Sequence, residues 1–229
     1  MKRLMFRMGV GAALALTLAC GDDQVVVNPT THEMLVGSGV IASQTRPVSG
    51  FSAVTVSGPL RLVLQQAGIE SLEVTTDDNV LPVVVSEVRG GRLFLGFAPN
   101  TSLTRIHEVV CRVTMREVRD IEASGAARLE ISGVDTPRLG ILFSGATLGS
   151  ASGTAEELTV AVSGASRWTA GALRSRSVTA NVSGASYGLV RAEESLIANV
   201  SGASMLEYMG DPRVTTTVDG VSTVRRVGP

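Results

Sequence analysis

Val178-Thr179-Ala180-Asn181-Val182-Ser183-Gly184-Ala185 is followed 18 residues later by Leu196-Ile197-Ala198-Asn199-Val200-Ser201-Gly202-Ala203. In both stretches, before the serine, apolar residues occupy every second position, and polar ones alternate with them at every intervening place but Ile197, the period of a strand with one face buried. The tripeptide also begins at Ser124, Ser144 and Ser163, and a diverged copy, Asp219-Gly220-Val221, closes the series at intervals of 20, 19, 20, 18 and 18 residues. The alternation travels with it: Leu139, Ile141 and Phe143 precede Ser144, and Leu158, Val160 and Val162 precede Ser163. The positions between them, such as Thr159, Thr179, Asn181 and Asn199, face outward.

A half-buried strand recurring at this interval cannot bury its apolar face alone, so the units must stack. Each unit has room for a strand, a Ser-Gly-Ala corner, a second strand and a return. That is one coil of a parallel β-solenoid, with equivalent strands about 4.8 Å apart and six coils reaching roughly 25 to 30 Å. Small residues suit corners where neighbouring backbones come close. A serine repeated at equivalent corners is architectural, and no His and Asp are placed to activate one as a nucleophile. Glu156-Glu157, Arg174 and Arg176, and Glu193-Glu194 fall at similar offsets in successive units, so opposite charges neighbour one another on the return side as exposed pairs worth a few tenths of a kcal/mol each.

The preceding part is less regular but still β-rich. Residues 51–56, 60–64, 71–75, 83–88 and 92–97 read as strands, separated by turn signals at Ser57-Gly58-Pro59, Ala67-Gly68, Asp77-Asp78-Asn79, Gly90-Gly91 and Pro99-Asn100. No segment has a convincing helical period. Asp77 and Asp78 are the most suggestive pair of acids in the chain, but Asp-Asp-Asn before a strand is first a turn.

The N-terminus carries an export address. Lys2, Arg3 and Arg7 precede an apolar run from Met8 to Ala19, and Thr17-Leu18-Ala19-Cys20 reads as a lipobox ending a lipoprotein signal over residues 1–20, the alternative being an ordinary signal-peptidase site with Ala19 as the small residue before the cut. The run is too short for a span, which needs about 20 apolar residues. Lipidation at Cys20 would fix the chain to a membrane surface by more than one acyl chain. Residues 21–36 read as a flexible tether, and 37–227 as one domain whose repeat coils begin near 118. The expected location is the cell envelope, at the outer membrane or cell surface.

Hydrophobic residues make up 44% of the chain, enough for a packed core. Without Lys2, Arg3 and Arg7 there remain 17 basic residues against 21 acidic ones, a net charge of about −4, which argues against a nucleic-acid partner. Aromatics are only 3%, so stacking platforms are scarce. Cys111 shares parity with Val109, Val113 and Met115 and reads as a small buried hydrophobe. His32 and His107 stand isolated and lack metal-ligand spacing. No cofactor, metal or catalytic residue is implied. The outward side chains that a ligand would meet on the repeat face are Asn181, Asn199, Arg167 and Tyr187, with Trp168 the one large aromatic nearby, which reads either as part of that face or as core.

Gly37-Ser38-Gly39, Arg46-Pro47-Val48-Ser49-Gly50-Phe51, Val54-Thr55-Val56-Ser57-Gly58, Asp77-Asp78-Asn79-Val80-Leu81-Pro82 and the Ser-Gly-Ala copies together resemble the putative auto-transporter adhesin, head GIN domain family, over roughly residues 37 to 227. The resemblance implies a single-domain, right-handed β-helix-like fold in bacterial envelope proteins. It transfers no catalytic or binding residues. The departure at Asp219-Gly220-Val221 suits a terminal coil that meets solvent. The expectation is therefore a non-enzymatic surface module contacting an envelope or extracellular glycan or protein. The alternatives are a carbohydrate-active β-helix enzyme, which would need paired carboxylates about 5 to 9.5 Å apart, and a purely structural envelope component.

Overall fold

The computed structural model describes residues 33–228. The signal segment, Cys20, His32 and most of the expected tether lie outside them. In chain order the strands are β1 (Glu33–Val36), β2 (Ile41–Arg46), β3 (Ala53–Ser57), β4 (Leu60–Gln66), β5 (Ser71–Asp77), β6 (Val84–Arg89), β7 (Arg92–Phe97), β8 (Thr101–Thr104) and β9 (Val109–Met115). They continue as β10 (Asp120–Ser124), β11 (Arg128–Phe143), β12 (Leu148–Val162), β13 (Arg167–Val182), β14 (Tyr187–Val200), β15 (Met205–Met209), β16 (Arg213–Val218) and β17 (Thr223–Arg226). A 3-10 turn at Leu81–Val83 separates β5 from β6. Glu33–Val36 corrects the tether reading: it pairs in parallel with β8, so the ordered strands begin before residue 37.

The repeat is a parallel stack. β10, β11, β12, β13 and β14 pair in sequence, and β15 with β17 and then β16 complete it. The strand after each corner runs on to the next corner, and the expected return is a bend within one long strand. The register shifts there, between Ile131 and Val134 in β11 and between Ser150 and Ser152 in β12.

Two requirements make each corner glycine. Gly145, Gly164 and Gly184 have φ of 75°, 78° and 81°, in the left-handed region that side chains resist. A Cβ on Gly184 would also lie 2.5 Å from the Gly164 carbonyl oxygen of the coil before. That approach is needed because the corners hydrogen-bond to one another, Ala165 N donating to Gly145 O at 2.7 Å and Ala185 N to Gly164 O at 2.8 Å. The column extends further than the regular interval shows. Ser57 pairs with Ser124, and Gly58 N donates to Ser124 O at 3.1 Å, so Ser57-Gly58-Pro59 is another corner of the same series. The chain leaves the column after β4, builds β5 to β9, and returns at β10.

The residue after each tripeptide makes a second ladder inside the corner. Thr147, Ser166, Ser186 and Ser204 are all buried. Ser166 Oγ donates to Gly145 O at 3.3 Å, Ser186 Oγ to Gly164 O at 3.3 Å and Ser204 Oγ to Gly184 O at 3.2 Å, so these three buried hydroxyls are satisfied by the coil before, whereas Thr147 Oγ1 donates within its own corner to Ser144 O at 2.8 Å.

The core fills the interior of the stack in registered columns. Trp168 is fully buried, in register with Gly149 on one side and Gly188 on the other. Gly149 leaves the space that its indole and the edge-on Phe143 ring occupy, with ring centroids 5.3 Å apart and planes at 86°, while the place of a Gly188 side chain is bounded by Leu206 and Val182. At the N-terminal end antiparallel strands close the stack: β5 against β9, β2 against β5, and β6 against β7. At the other end β16 and β17 are the last strands, and every residue of β16 is exposed.

Candidate functional site

The expected contact residues divide into three environments. Asn181 and Asn199 share the face that leads into the corner, where Asn199 Nδ2 donates to Asn181 Oδ1 at 2.9 Å. Strand pairing places them in one column with Leu142, Ala161 and Thr217. Arg167 and Tyr187 lie on the face that leaves the corner, paired with each other across β13 and β14. The Arg167 guanidinium stands 4.2 Å from the Tyr187 ring centroid. The Ser-Gly-Ala corner separates the two groups. Trp168 belongs to neither, because the alternation that turns Arg167 outward turns its neighbour into the core; of its two readings the core one holds and the surface contact is corrected.

Tyr187 is the centre of a fixed polar chain. Its hydroxyl donates to Glu207 Oε2 at 2.6 Å, and Arg225 Nε donates to Glu207 Oε1 at 2.7 Å. Partial burial and the Glu207 carboxylate hold the phenol above its ordinary value, while the Tyr187 hydroxyl and Arg225 pull the Glu207 carboxyl below its own. The result is a rigid cation, aromatic and carboxylate group in three successive coils. The Glu207 charge is met by Arg225, the Arg167 guanidinium lies over the ring, and the ring remains partly exposed.

The charged return side is as the repeat implies. Arg138 pairs with Glu157 at 3.0 Å, Arg176 with Glu194 at 2.9 Å and Glu156 at 3.7 Å, and Arg174 with Glu193 at 3.3 Å. Beside it a shallow open groove of about 700 Å³ is lined by Glu117, Arg119, Asp120, Arg138, Glu157 and Thr159. Two of its carboxylates are held by arginines, Glu117 by Arg119 at 2.7 Å and Glu157 by Arg138.

Asp77 and His107, read separately, are in contact. The buried Asp77 carboxylate accepts from Gly39 N at 2.8 Å, His107 N at 2.6 Å and His107 Nδ1 at 3.0 Å. These bonds, His107's first, pull its carboxyl below the ordinary range. Asn79 accepts from Ser38 N and donates to Val36 O, and the Ser38 hydroxyl bonds Asp78. The Asp-Asp-Asn turn therefore clamps the segment 36–39 to the cap. Ser38 is turned to Asp78, away from His107, so the arrangement is a fastening and has no nucleophile–base pair. Among the described residues no group of three or more His, Cys, Asp or Glu side chains could hold a metal. Cys111 is buried on the inner face of β9, and burial pushes its thiol up to about 12, which makes it inert.

A family model described as putative auto-transporter adhesin, head GIN domain, matches residues 50–212. Among solved structures the fold is similar to a putative adhesin from Bacteroides fragilis, with 20% identity over 84% of this chain and 100% of that one and a TM-score of 0.69. It is also similar to a putative lipid binding protein from Parabacteroides distasonis, at 19% identity, 85% and 100% coverage and a TM-score of 0.56. A putative adhesin from Parabacteroides merdae matches at 17% identity, 85% and 99% coverage and a TM-score of 0.53. No curated protein matches the chain.

Proposed function

The chain belongs to the putative auto-transporter adhesin, head GIN domain family, and from that premise we propose that it is a non-enzymatic adhesion module of the bacterial envelope, held there by a lipid on Cys20. The observation that carries the reading is the Arg167–Tyr187–Glu207 group. It displays a partly exposed aromatic ring whose orientation is fixed before any ligand arrives, so little conformational entropy is lost on contact. The Asn181–Asn199 ladder offers a second prearranged polar strip around the corner. Together they suit an extended glycan or a protein surface laid across successive coils.

A carbohydrate-active enzyme needs one carboxyl kept protonated as an acid and another free as base or nucleophile. The groove beside the return side suits that chemistry poorly, because two of its carboxylates, Glu117 and Glu157, are already engaged by Arg119 and Arg138. The test is adhesion of cells or beads carrying the protein. Tyr187→Ala, Arg167→Ala and the pair Asn181→Ala with Asn199→Ala should each reduce adhesion without unfolding the protein; adhesion unchanged in all of them would remove these faces from the reading. Cys20→Ala should release the protein from the membrane fraction and abolish acyl-label incorporation.

A further inference from the structure

The last coil of the described residues presents an open edge. β16 pairs with β14 on one side only, and all of its residues are exposed. Val214, Thr216 and Val218 stand in register with buried Leu196, Ala198 and Val200, so they face the core side of a coil that nothing covers among the described residues. Main-chain groups alternate along a strand as side chains do. Asp219 N donates to Val200 O at 2.9 Å, which assigns the odd-numbered residues' N–H and C=O groups to β14. Those of Val214, Thr216 and Val218 therefore point out of the sheet, ready to pair. Natural edges are commonly blunted by lysine, proline or a bulge. Between Arg213 and Asp219 this one reads Val-Thr-Thr-Thr-Val and has none of these.

That string is the same in both directions about Thr216, and it is flanked by opposite charges. Antiparallel pairing of two such strands about Thr216 sets Val214 against Val218, Thr215 against Thr217, and Arg213 against Asp219 at both ends. We propose that β16 is a homodimerisation edge through which two copies of this chain join antiparallel about a two-fold axis at Thr216. The residues with free main-chain groups then fall opposite one another, as hydrogen-bonded pairs require. A register slipped by one residue loses that match, and one slipped by two sets Arg213 against an uncharged residue. Neighbouring charges are already engaged within the chain, Arg225 on Glu207 and Arg226 on Asp211, whereas Arg213 and Asp219 have no ion pair among the described residues. The two-fold axis lies across the stacking direction, so the two N-terminal caps sit at opposite ends of the pair. Dimerisation of this kind stands apart from ligand binding on the outer faces, and either can fail without the other.

Register-specific cross-linking tests it on the full chain. Thr215 and Thr217 face outward, and in the proposed register they form a non-hydrogen-bonded pair with Cα atoms about 4.5 Å apart, within disulfide reach. Thr215→Cys and Thr217→Cys proteins, mixed under mild oxidation, should give a linked dimer that neither gives alone above the parent's background. In sedimentation equilibrium Arg213→Glu should raise the dimer dissociation constant roughly tenfold, and the exchange R213D with D219R should restore it. A parent that sediments as a monomer up to its solubility limit overturns the proposal. So does cross-linking that is equal in the mixture and in the single variants.

Discussion

Gly149→Ala probes how tightly the interior of the stack is specified. The added Cβ would lie 2.2 Å from Phe143 Cε2 and 2.4 Å from Cζ, with Trp168 Cε3 at 3.3 Å behind the ring. Ordinary carbon contacts are about 3.5 to 4.0 Å, so the Phe143 ring must move by more than an ångström. It has nowhere to go, because it is fully buried and held edge-on to an indole that is itself fully buried. Gly149 does not need glycine for its backbone, since its φ lies outside the left-handed region; the cost is one of packing alone. Overpacking of a rigid core costs about 1 to 3 kcal/mol, and the upper end applies here. For a body of this size that lowers Tm by roughly 6 to 12 °C. Phe143→Ala alone should cost about 3 to 5 kcal/mol as a cavity. In that background the Gly149 methyl enters vacated space, so the double variant should be no less stable than Phe143→Ala. Guanidinium unfolding of the four proteins, followed by far-UV circular dichroism, gives the cycle directly. Additive effects within about 0.5 kcal/mol, or a Gly149→Ala midpoint equal to the parent's, would refute the packing argument.

Other expectations follow from the same geometry. Ser186→Ala removes a buried hydroxyl that donates to Gly164 O and should cost about 1 kcal/mol by the same unfolding assay; a neutral result would mean that the inner ladder holds nothing together. Asp77→Asn should lower the thermal midpoint at neutral pH and flatten its fall in acid. The folded Asp77 carboxyl is depressed, so its contribution is present above the unfolded value, about 3.9, and is lost as pH drops through the lower folded value. A midpoint unaffected by the substitution at pH 7 would separate the clamp from stability. Arg176→Ala breaks pairs with Glu156 and Glu194, all well exposed, and should leave the unfolding midpoint close to the parent's, closer still in high salt. Cys111 should resist thiol reagents in the native protein and react only on unfolding, as its burial requires.

The stack itself was legible because one interval and one alternation recur. Parity alone turned Cys111 inward and fixed the strand around it, and the offsets of Glu156, Arg176 and Glu194 in successive units predicted their pairing. Trp168 could have been placed as well. Aligning the units sets it between Gly149 and Gly188, a large residue flanked by two absent side chains, which is the pattern of a filled core column. Leaving it open between a surface aromatic and a core residue treated the residue by type and ignored its register. The corner at Ser57 was hidden by the long excursion between β4 and β10, which breaks the interval without breaking the stack. The contact of Asp77 with His107 was not legible at all, since no period links positions in the cap and antiparallel pairing there follows turn geometry. For the outward residues, alternation identified which side chains are exposed. It could not show that a corner parts Asn181 and Asn199 from Arg167 and Tyr187, because that depends on where the coil bends.

The most direct measurement is made on the purified full chain: a glycan array and an envelope pull-down, run beside a depolymerisation assay on the same polysaccharides. Saturable binding with no shortening of any polymer, weakened by Tyr187→Ala, is the predicted result. Catalytic cleavage of a polysaccharide would contradict the account and turn attention to the carboxylates of the groove beside Arg119 and Arg138.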